Sequence, residues 1–253
     1  MVKLSAVIIT LNEERNITRC LESVKDVADE IIVVDSLSTD KTAEIARSYG
    51  AKVIQQPFLG YVAQKNFADN CASNDWILSI DADEALTPEL KDQINQVKLN
   101  PTFQAYKLRR LTNYCGKWIK HCGWYPDRKT RLYNRTAGSW QGEQIHEHWE
   151  AKDAHLHIEE LKGDMLHYSY YTISDHLRQI ERFTEISAKV AAGKGKDCSL
   201  FKIWLVPKWV FFSMYILRAG FLDGYYGYLV CKYSAYAALI KYTKIRQYRG
   251  LMN

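Results

Sequence analysis

Neither Gly-x-Gly-x-x-Gly nor Gly-x-x-x-x-Gly-Lys-Ser/Thr occurs anywhere in this chain. The first absence excludes a dinucleotide fingerprint and the second a P-loop, the glycine-rich cradles that hold phosphates by backbone N–H groups. The six cysteines (20, 71, 115, 122, 198, 231) form no Cys-x-x-Cys pair. A zinc site or redox motif is therefore not expected, and the thiols read as reduced and cytosolic. His-Glu-x-x-His is missing too; His146-Glu147-His148 lacks the spacing of a metalloprotease helix. Long apolar runs are scarce. Leu4 to Thr10 is too short for a signal sequence and has no small-residue cleavage site. Towards the C-terminus the longest uncharged run, Trp209 to Leu217, has nine residues, against the roughly 20 that a membrane span needs. No internal repeat is evident.

What is present reads as a globular α/β chain. Its 253 residues suffice for one large domain, or a domain with an appendage. Hydrophobic content of 47% with 25% charged residues excludes disordered and collagen-like classes. Aromatics are abundant, with 17 Tyr and 7 Trp, and suit interfaces, sugar-binding surfaces and membrane boundaries. Acidic residues thin out at the end: residues 196–253 hold nine Lys/Arg against two Asp, a local +7, so the preceding 195 residues carry −2. That asymmetry points to a basic tail meeting an anionic surface, not to a nucleic-acid-binding domain.

Along the first hundred residues, β-branched runs alternate with short helical patterns. Strands are expected at 4–10, 30–35, 52–56 and 76–80, and helices at 17–24, 42–49 and 63–71. Such alternation argues a mainly parallel sheet covered on both faces, with ligands beyond the carboxyl ends of the strands. Three of those ends are polar and acidic: Thr10-Leu11-Asn12-Glu13-Glu14, Asp35-Ser36-Leu37-Ser38-Thr39-Asp40 and Asp81-Ala82-Asp83-Glu84. Two carboxylates one residue apart after a buried strand suit a divalent cation held against a polyphosphate, Mg²⁺ or Mn²⁺. Residues 104–170 read as strands with loops. A helix is expected over 175–192, capped by Ser174, with Leu177, Ile180, Phe183 and Ile186 on one face. Gly193-Lys194-Gly195-Lys196 reads as a break, so a domain over 1–192 and a basic, aromatic, helical appendage over 193–253 are expected.

Together these motifs resemble family 2 inverting glycosyltransferases of the GT-A fold, an α/β, Rossmann-like nucleotide-diphospho-sugar architecture. Val7 to Glu14 is similar to their opening strand and nucleotide loop. Ile32 to Asp40 matches their second-strand motif, except that Leu37 stands where Gly is common. Gln64-Lys65-Asn66 resembles the helix start that faces the nucleotide, and Trp76 to Glu84 the metal motif. More narrowly, Pro57-Phe58-Leu59-Gly60-Tyr61, Trp124-Tyr125-Pro126-Asp127 and Ile145-His146-Glu147 resemble bacterial lipopolysaccharide-core glucosyltransferases of the β-1,4 type. The resemblance implies Thr10, Leu11, Asn12 and Glu13 around the base, with Asp35 and Ser38 on the base or ribose. It implies Asp81 and Ala82 on the nucleotide side, Lys65 as further positive charge, and a metal on Asp83 with Asp81 and His146 nearby.

Inverting transfer needs one carboxylate base on the face opposite the leaving group, because the diphosphate departs with metal help. Glu143 and Glu147 are the candidates; Glu147 is favoured because the resemblance places a carboxylate after a His here. Trp124, Tyr125, Asp127 and Arg131 are expected to shape the sugar or acceptor pocket, though core aromatics would read the same way. The implied partners are a UDP-sugar, with glucose first, and a lipid-linked oligosaccharide acceptor, with a homodimer as a further expectation. The aromatic, Lys- and Arg-flanked stretch 201–222 suits the membrane interface, so the expected location is cytoplasmic, at the inner face of the bacterial inner membrane. Packing on protein is the competing reading of that stretch. Transfer onto a polyprenyl phosphate, and a non-catalytic carbohydrate- or membrane-binding protein, are the alternative functions.

Overall fold

A computed structural model describes residues 1–143, 147–196 and 198–250. They form two compact units: Met1–Leu111 with Asp127–Tyr168, and Thr112–Pro126 with Ser169–Asn253. The division expected after residue 192 therefore falls after Tyr168, and an earlier stretch, Thr112–Pro126, joins the second unit.

The first unit opens as the periodicity predicts: β1 (Leu4–Thr10), α1 (Ile17–Val24), β2 (Glu30–Asp35), α2 (Thr42–Ser48), β3 (Lys52–Gln55), α3 (Tyr61–Asn70) and β4 (Trp76–Asp81). Then come β5 (Glu84–Leu86), α4 (Pro88–Leu99), β6 (Ala105–Tyr114), β8 (Asp127–Asn134), β9 (Gly138–Gln141), β10 (His148–Ala151) and β11 (Glu159–Tyr170), while β7 (Lys117–Trp118) lies in the second unit. The main sheet runs β3-β2-β1-β4-β8-β6-β11-β5. Its first four strands are parallel. The β4–β8, β8–β6 and β11–β5 pairings are antiparallel, so the sheet is mixed where a mainly parallel one was expected.

Alternation along β1 explains how both faces are covered. Leu4, Ala6 and Ile8 pack with Ile17, Cys20, Leu21 and Val24, which recur at the i, i+3, i+4, i+7 spacing of one helical face. Val7 faces the other way, with Ile32, Val34, Ile77, Ala68 and the aromatic side chains of Tyr133, Trp140 and Trp149. Each such aliphatic, fully buried, contributes about 1.5–3 kcal/mol. Parallel register then sets the site: Thr10 lies opposite Asp35, and Ile9 opposite Asp81, so three polar strand ends share one edge.

In the second unit, α5 (Ile173–Gly193) is capped by Thr172, not by Ser174. Thr172 Oγ1 accepts from the Asp175 N–H (3.2 Å) and Asp175 accepts from the Thr172 N–H (2.7 Å). This reciprocal box needs an acid three residues after the cap, which Thr172 has and Ser174 lacks. The buried face is His176, Ile180, Thr184, Ala188 and Ala191, whereas Leu177 is exposed. Small side chains on this stripe admit close packing: Ala188 and Ala191 cluster with Ile245 of α7 (Gly224–Tyr248), the last helix after α6 (Leu200–Phe212). A π turn, Ser213–Leu217, and a 3₁₀ turn, Gly220–Asp223, join α6 to α7. Gly227 lets α7 lie on that turn, since a Cβ there would come within 2.0 Å of the Gly220 carbonyl oxygen. None of the six cysteines is in a disulfide.

His176 makes this unit pH-sensitive. Its Nδ1 meets the Tyr114 hydroxyl at 3.0 Å, and Tyr170, Trp124 and Tyr233 surround the ring. Burial pushes its pKa down to about 4. The unfolded chain binds this proton below about 6.5, while the folded one resists it until about 4. Stability is thus fully present above pH 6.5 and is lost as pH falls towards 4, by up to about 3 kcal/mol. Urea unfolding between pH 7 and 4.5 should show a shallower decline for His176→Gln than for the native chain.

Candidate functional site

Two loops interlock at the shared edge of β1 and β2. The Asn12 N–H donates to Ser38 Oγ (2.8 Å), and the Thr39 N–H donates to Asn12 Oδ1 (2.8 Å). Ser38 in turn donates from its hydroxyl and its N–H to the two oxygens of Asp35, which is fully buried. The Glu13 N–H donates to Thr42 Oγ1 (2.8 Å). Asn12 and Leu37 both take left-handed backbone conformations, with φ 53° and 64°. Leu37 therefore takes the conformation that glycine adopts freely, at a cost of about 1–2 kcal/mol. Leu11 and Leu37 are exposed beside it. Thr10 Oγ1 is buried and has no hydrogen-bond partner, an orphan hydroxyl at the strand end.

The acidic turn after β4 is a charge network. Lys65 from α3 is 2% exposed, and its Nζ reaches Asp81 Oδ1 at 2.7 Å. Arg131 from β8 is equally enclosed, with Nη2 2.6 Å from Asp81 Oδ2 and 3.4 Å from Glu84 Oε1. Burial alone would raise the Asp81 pKa, but Arg131 and Lys65 outweigh it and hold the carboxyl well below its usual range. Glu84, fully buried, accepts the Asp81 N–H (2.9 Å) and lies 3.3 Å from Arg110 Nη1. Arg110 also binds Asp127 at 2.7 Å. Trp140 closes the cluster, with Lys65 Nζ 4.6 Å and the Arg131 guanidinium 5.5 Å from its ring.

Asp83 stands apart from that network. Its Oδ2 lies 3.2 Å from His167 Nε2 on β11, where His167 pairs in register with Glu84. Burial pushes the Asp83 pKa up, but the imidazole overrides this and the net direction is down. Glu13 is the opposite case: burial, aided by Asp83 and Asp40, raises its pKa to about 7 despite the Asn16 hydrogen bond. Within this network Lys65, Arg131 and Arg110 are already paired with Asp81 and Glu84. Among the described residues no three His, Cys, Asp or Glu side chains converge as a metal cage. One carboxylate and one imidazole, completed by phosphate oxygens and water, still fit Mg²⁺ or Mn²⁺.

Several expected residues sit elsewhere than anticipated. Asp81, expected to share the metal, has both oxygens ion-paired. Arg131, expected to shape the sugar or acceptor pocket, is the buried counter-ion of Asp81, and Asp127, expected there too, pairs with Arg110 and Lys129. Trp124 and Tyr125 belong to the second unit, where Trp124 stacks on Tyr170 (5.7 Å). Ala82 is buried. His146 lies outside the described residues. Glu147 is half-buried and its charge acts on Arg131, whereas Glu143 is exposed. Asn66 fixes the hairpin that carries them: its side chain bonds both the N–H (3.0 Å) and the carbonyl (2.9 Å) of Trp140. Arg110 and His167 are neighbours of the site that the sequence pattern does not single out, and Glu84, read there only as part of the acidic turn, is the buried partner of Arg110 and Arg131. The only signal for His167 is a His near the end of a long strand.

Comparison with known proteins bears on the same segment. The model of the family described as glycosyl transferase family 2 matches residues 5–151. An uncharacterized glycosyltransferase of Rickettsia typhi (strain ATCC VR-144 / Wilmington) is 35% identical over 256 residues, covering 98% of this chain and 88% of that protein. The lipopolysaccharide core biosynthesis glycosyltransferase LpsC of Rhizobium meliloti (strain 1021) is 27% identical over 262 residues, covering 98% and 93%. Among solved structures, glucosyl-3-phosphoglycerate synthase from Mycobacterium tuberculosis overlaps 46% of this chain and 45% of its own at 26% identity, with a TM-score of 0.35. An overlap at that score says nothing about the ligands of the present site.

Proposed function

This chain belongs to glycosyl transferase family 2, and from that premise we propose that it moves a hexose, glucose first, from a UDP-sugar with inversion onto an inner-core sugar of lipopolysaccharide or lipooligosaccharide. It is a glycosyltransferase with a GT-A fold on a mixed sheet. One observation carries the finer reading: three polar strand ends meet at one edge, and there Asp83 faces His167 while Asp81 is neutralised from within. The name of the Rhizobium meliloti relative, a lipopolysaccharide core biosynthesis glycosyltransferase, supports the acceptor class. In this reading the acceptor is lipid-linked and the enzyme works on the cytoplasmic side of the inner membrane.

In this reading the interlocked loops of Thr10, Leu11, Asn12, Glu13, Asp35 and Ser38 hold the uridine, and the orphan Thr10 hydroxyl finds its partner there. Lys65 and Arg131 keep Asp81 ionised and fixed, so the turn presents Asp83 in one orientation. Asp83 and His167 are the residues that would hold Mg²⁺ or Mn²⁺. When bound, the cation supplies Lewis-acid stabilisation of the departing diphosphate. Glu147 takes the proton of the acceptor hydroxyl as that oxygen bonds to the anomeric carbon. The bond from that carbon to the β-phosphate oxygen breaks on the opposite face, and UDP leaves with the electron pair.

The test is transfer from radiolabelled UDP-sugars to a core-truncated lipopolysaccharide with Mn²⁺, with NMR of the product for the new linkage. Chelation should abolish transfer and Mn²⁺ restore it. Asp83→Asn should lower turnover by about 10²–10³-fold. His167→Ala should raise the Mn²⁺ concentration needed for half-maximal UDP binding. Transfer to polyprenyl phosphate only, or undiminished turnover after chelation, would overturn the reading.

A further inference from the structure

A helix that is apolar all round is normally buried, and α6 is not: no residue of it is fully enclosed. With the π turn it forms Leu200–Leu217, which among the described residues is the one helical run long and apolar enough, by length and composition, to cross a membrane. Lys208 interrupts the stretch, which is why its uncharged runs are short. One side packs inside the second unit, where Val210, Phe211 and Met214 meet Leu229 and Val230 of α7. The opposite side presents Phe201, Trp204, Lys208, Trp209, Phe212 and Ile216 to solvent. Trp204 and Trp209 are each 60% exposed. A contiguous apolar face of this kind marks an interaction surface.

Charge decides which surface it fits. Residues 200–222 contain Lys202, Lys208 and Arg218 and no acidic residue. Lys208 Nζ sits 3.4 Å over the Trp204 ring, its stem lying along the apolar face. A second copy meeting this face isologously would set Lys against Lys with no carboxylate to relieve them. An anionic lipid surface relieves them, and Trp beside Lys suits the headgroup boundary. Spanning is disfavoured, because Lys208 would lie near the bilayer centre and the inner side of the helix is already packed on α7.

We propose that residues 200–222 dock in the plane of an anionic lipid bilayer, with Phe201, Trp204, Trp209 and Phe212 entering the interface and Lys202 and Lys208 meeting the headgroup phosphates. This extends the membrane-side placement of the proposed function, but its observations and its readout are separate from transfer chemistry. The full chain should float with vesicles of phosphatidylcholine and phosphatidylglycerol in equal parts, and be released by high salt. Brominated lipid should quench its tryptophan emission. Trp204→Glu/Phe212→Glu should bind at least about ten-fold less, as each added charge on a lipid-facing helix side is strongly unfavourable. Lys202→Glu/Lys208→Glu, which leaves the apolar packing untouched, should lose the salt-sensitive part and keeps the test decisive if the first variant misfolds. UDP-sugar hydrolysis by both variants should match the native chain, which separates failure here from failure of the transferase reading. Native chain left at the bottom of the gradient overturns the proposal, as does flotation of both variants equal to that of the native chain. So does a lipid-free dimer in analytical ultracentrifugation that Trp204→Glu/Phe212→Glu dissociates.

Discussion

Glu147→Gln should lower turnover by roughly 10²–10⁴-fold, the usual contribution of a general base, with UDP-sugar affinity unchanged. The amide keeps the shape of the side chain but cannot accept the acceptor's proton. Glu147 is half-buried and close enough for its charge to act on Arg131, the partner of Asp81. Glu143, in the same loop, is exposed. The matched Glu143→Gln variant should therefore keep most of its activity. Single-turnover transfer at saturating donor, with donor affinity measured separately by calorimetry, distinguishes the two. A normal rate for Glu147→Gln together with a collapsed rate for Glu143→Gln would move the base to residue 143.

Arg131→Met should destabilise the fold by about 3–5 kcal/mol, the cost of breaking a buried ion pair by removing one partner. Arg131 is 3% exposed and lies between Asp81 and Glu84, of which Glu84 is wholly enclosed. Without the guanidinium, Lys65 still reaches Asp81 and Arg110 still reaches Glu84, but neither bridges the two. Arg131→Lys keeps the charge and loses the forked contact, so its loss should be smaller. Urea unfolding at pH 7 measures both. Stability of Arg131→Met within about 1 kcal/mol of the native chain would mean that the network is redundant. The same side chain explains why Asp81 is a poor choice for the cation: its oxygens are already taken.

Elements governed by local pattern are legible in the sequence. β1, α1 and β2 fall where the apolar periodicity places them, because each needs only its own alternation or helical stripe. The strand-end motifs are legible for the same reason, and parallel register brings Thr10, Asp35 and Asp81 to one edge. Helix α5 shows the limit. Its length is readable, but its buried stripe follows His176 and the alanines, since the neighbouring helix α7, not hydrophobicity alone, selects the face. His167 shows the limit more sharply. It meets Asp83 through the antiparallel pairing of β11 with β5, more than 80 positions along the chain, and nothing in its local sequence reports that partner.

By itself, then, the sequence determined an α/β sheet edge with polar strand ends and an acidic turn, because strand alternation and chain-local loops encode both. Only the tertiary structure decided how the two carboxylates of that turn divide. Arg131 and Lys65 arrive from β8 and α3 to neutralise Asp81, while His167 arrives from β11 to face Asp83. The structure also decided that α6 keeps one apolar side open, because α7 can cover only one side of it. Charge pairing and burial are long-range properties, set by which strands and helices become neighbours, and a one-dimensional pattern carries no record of that choice.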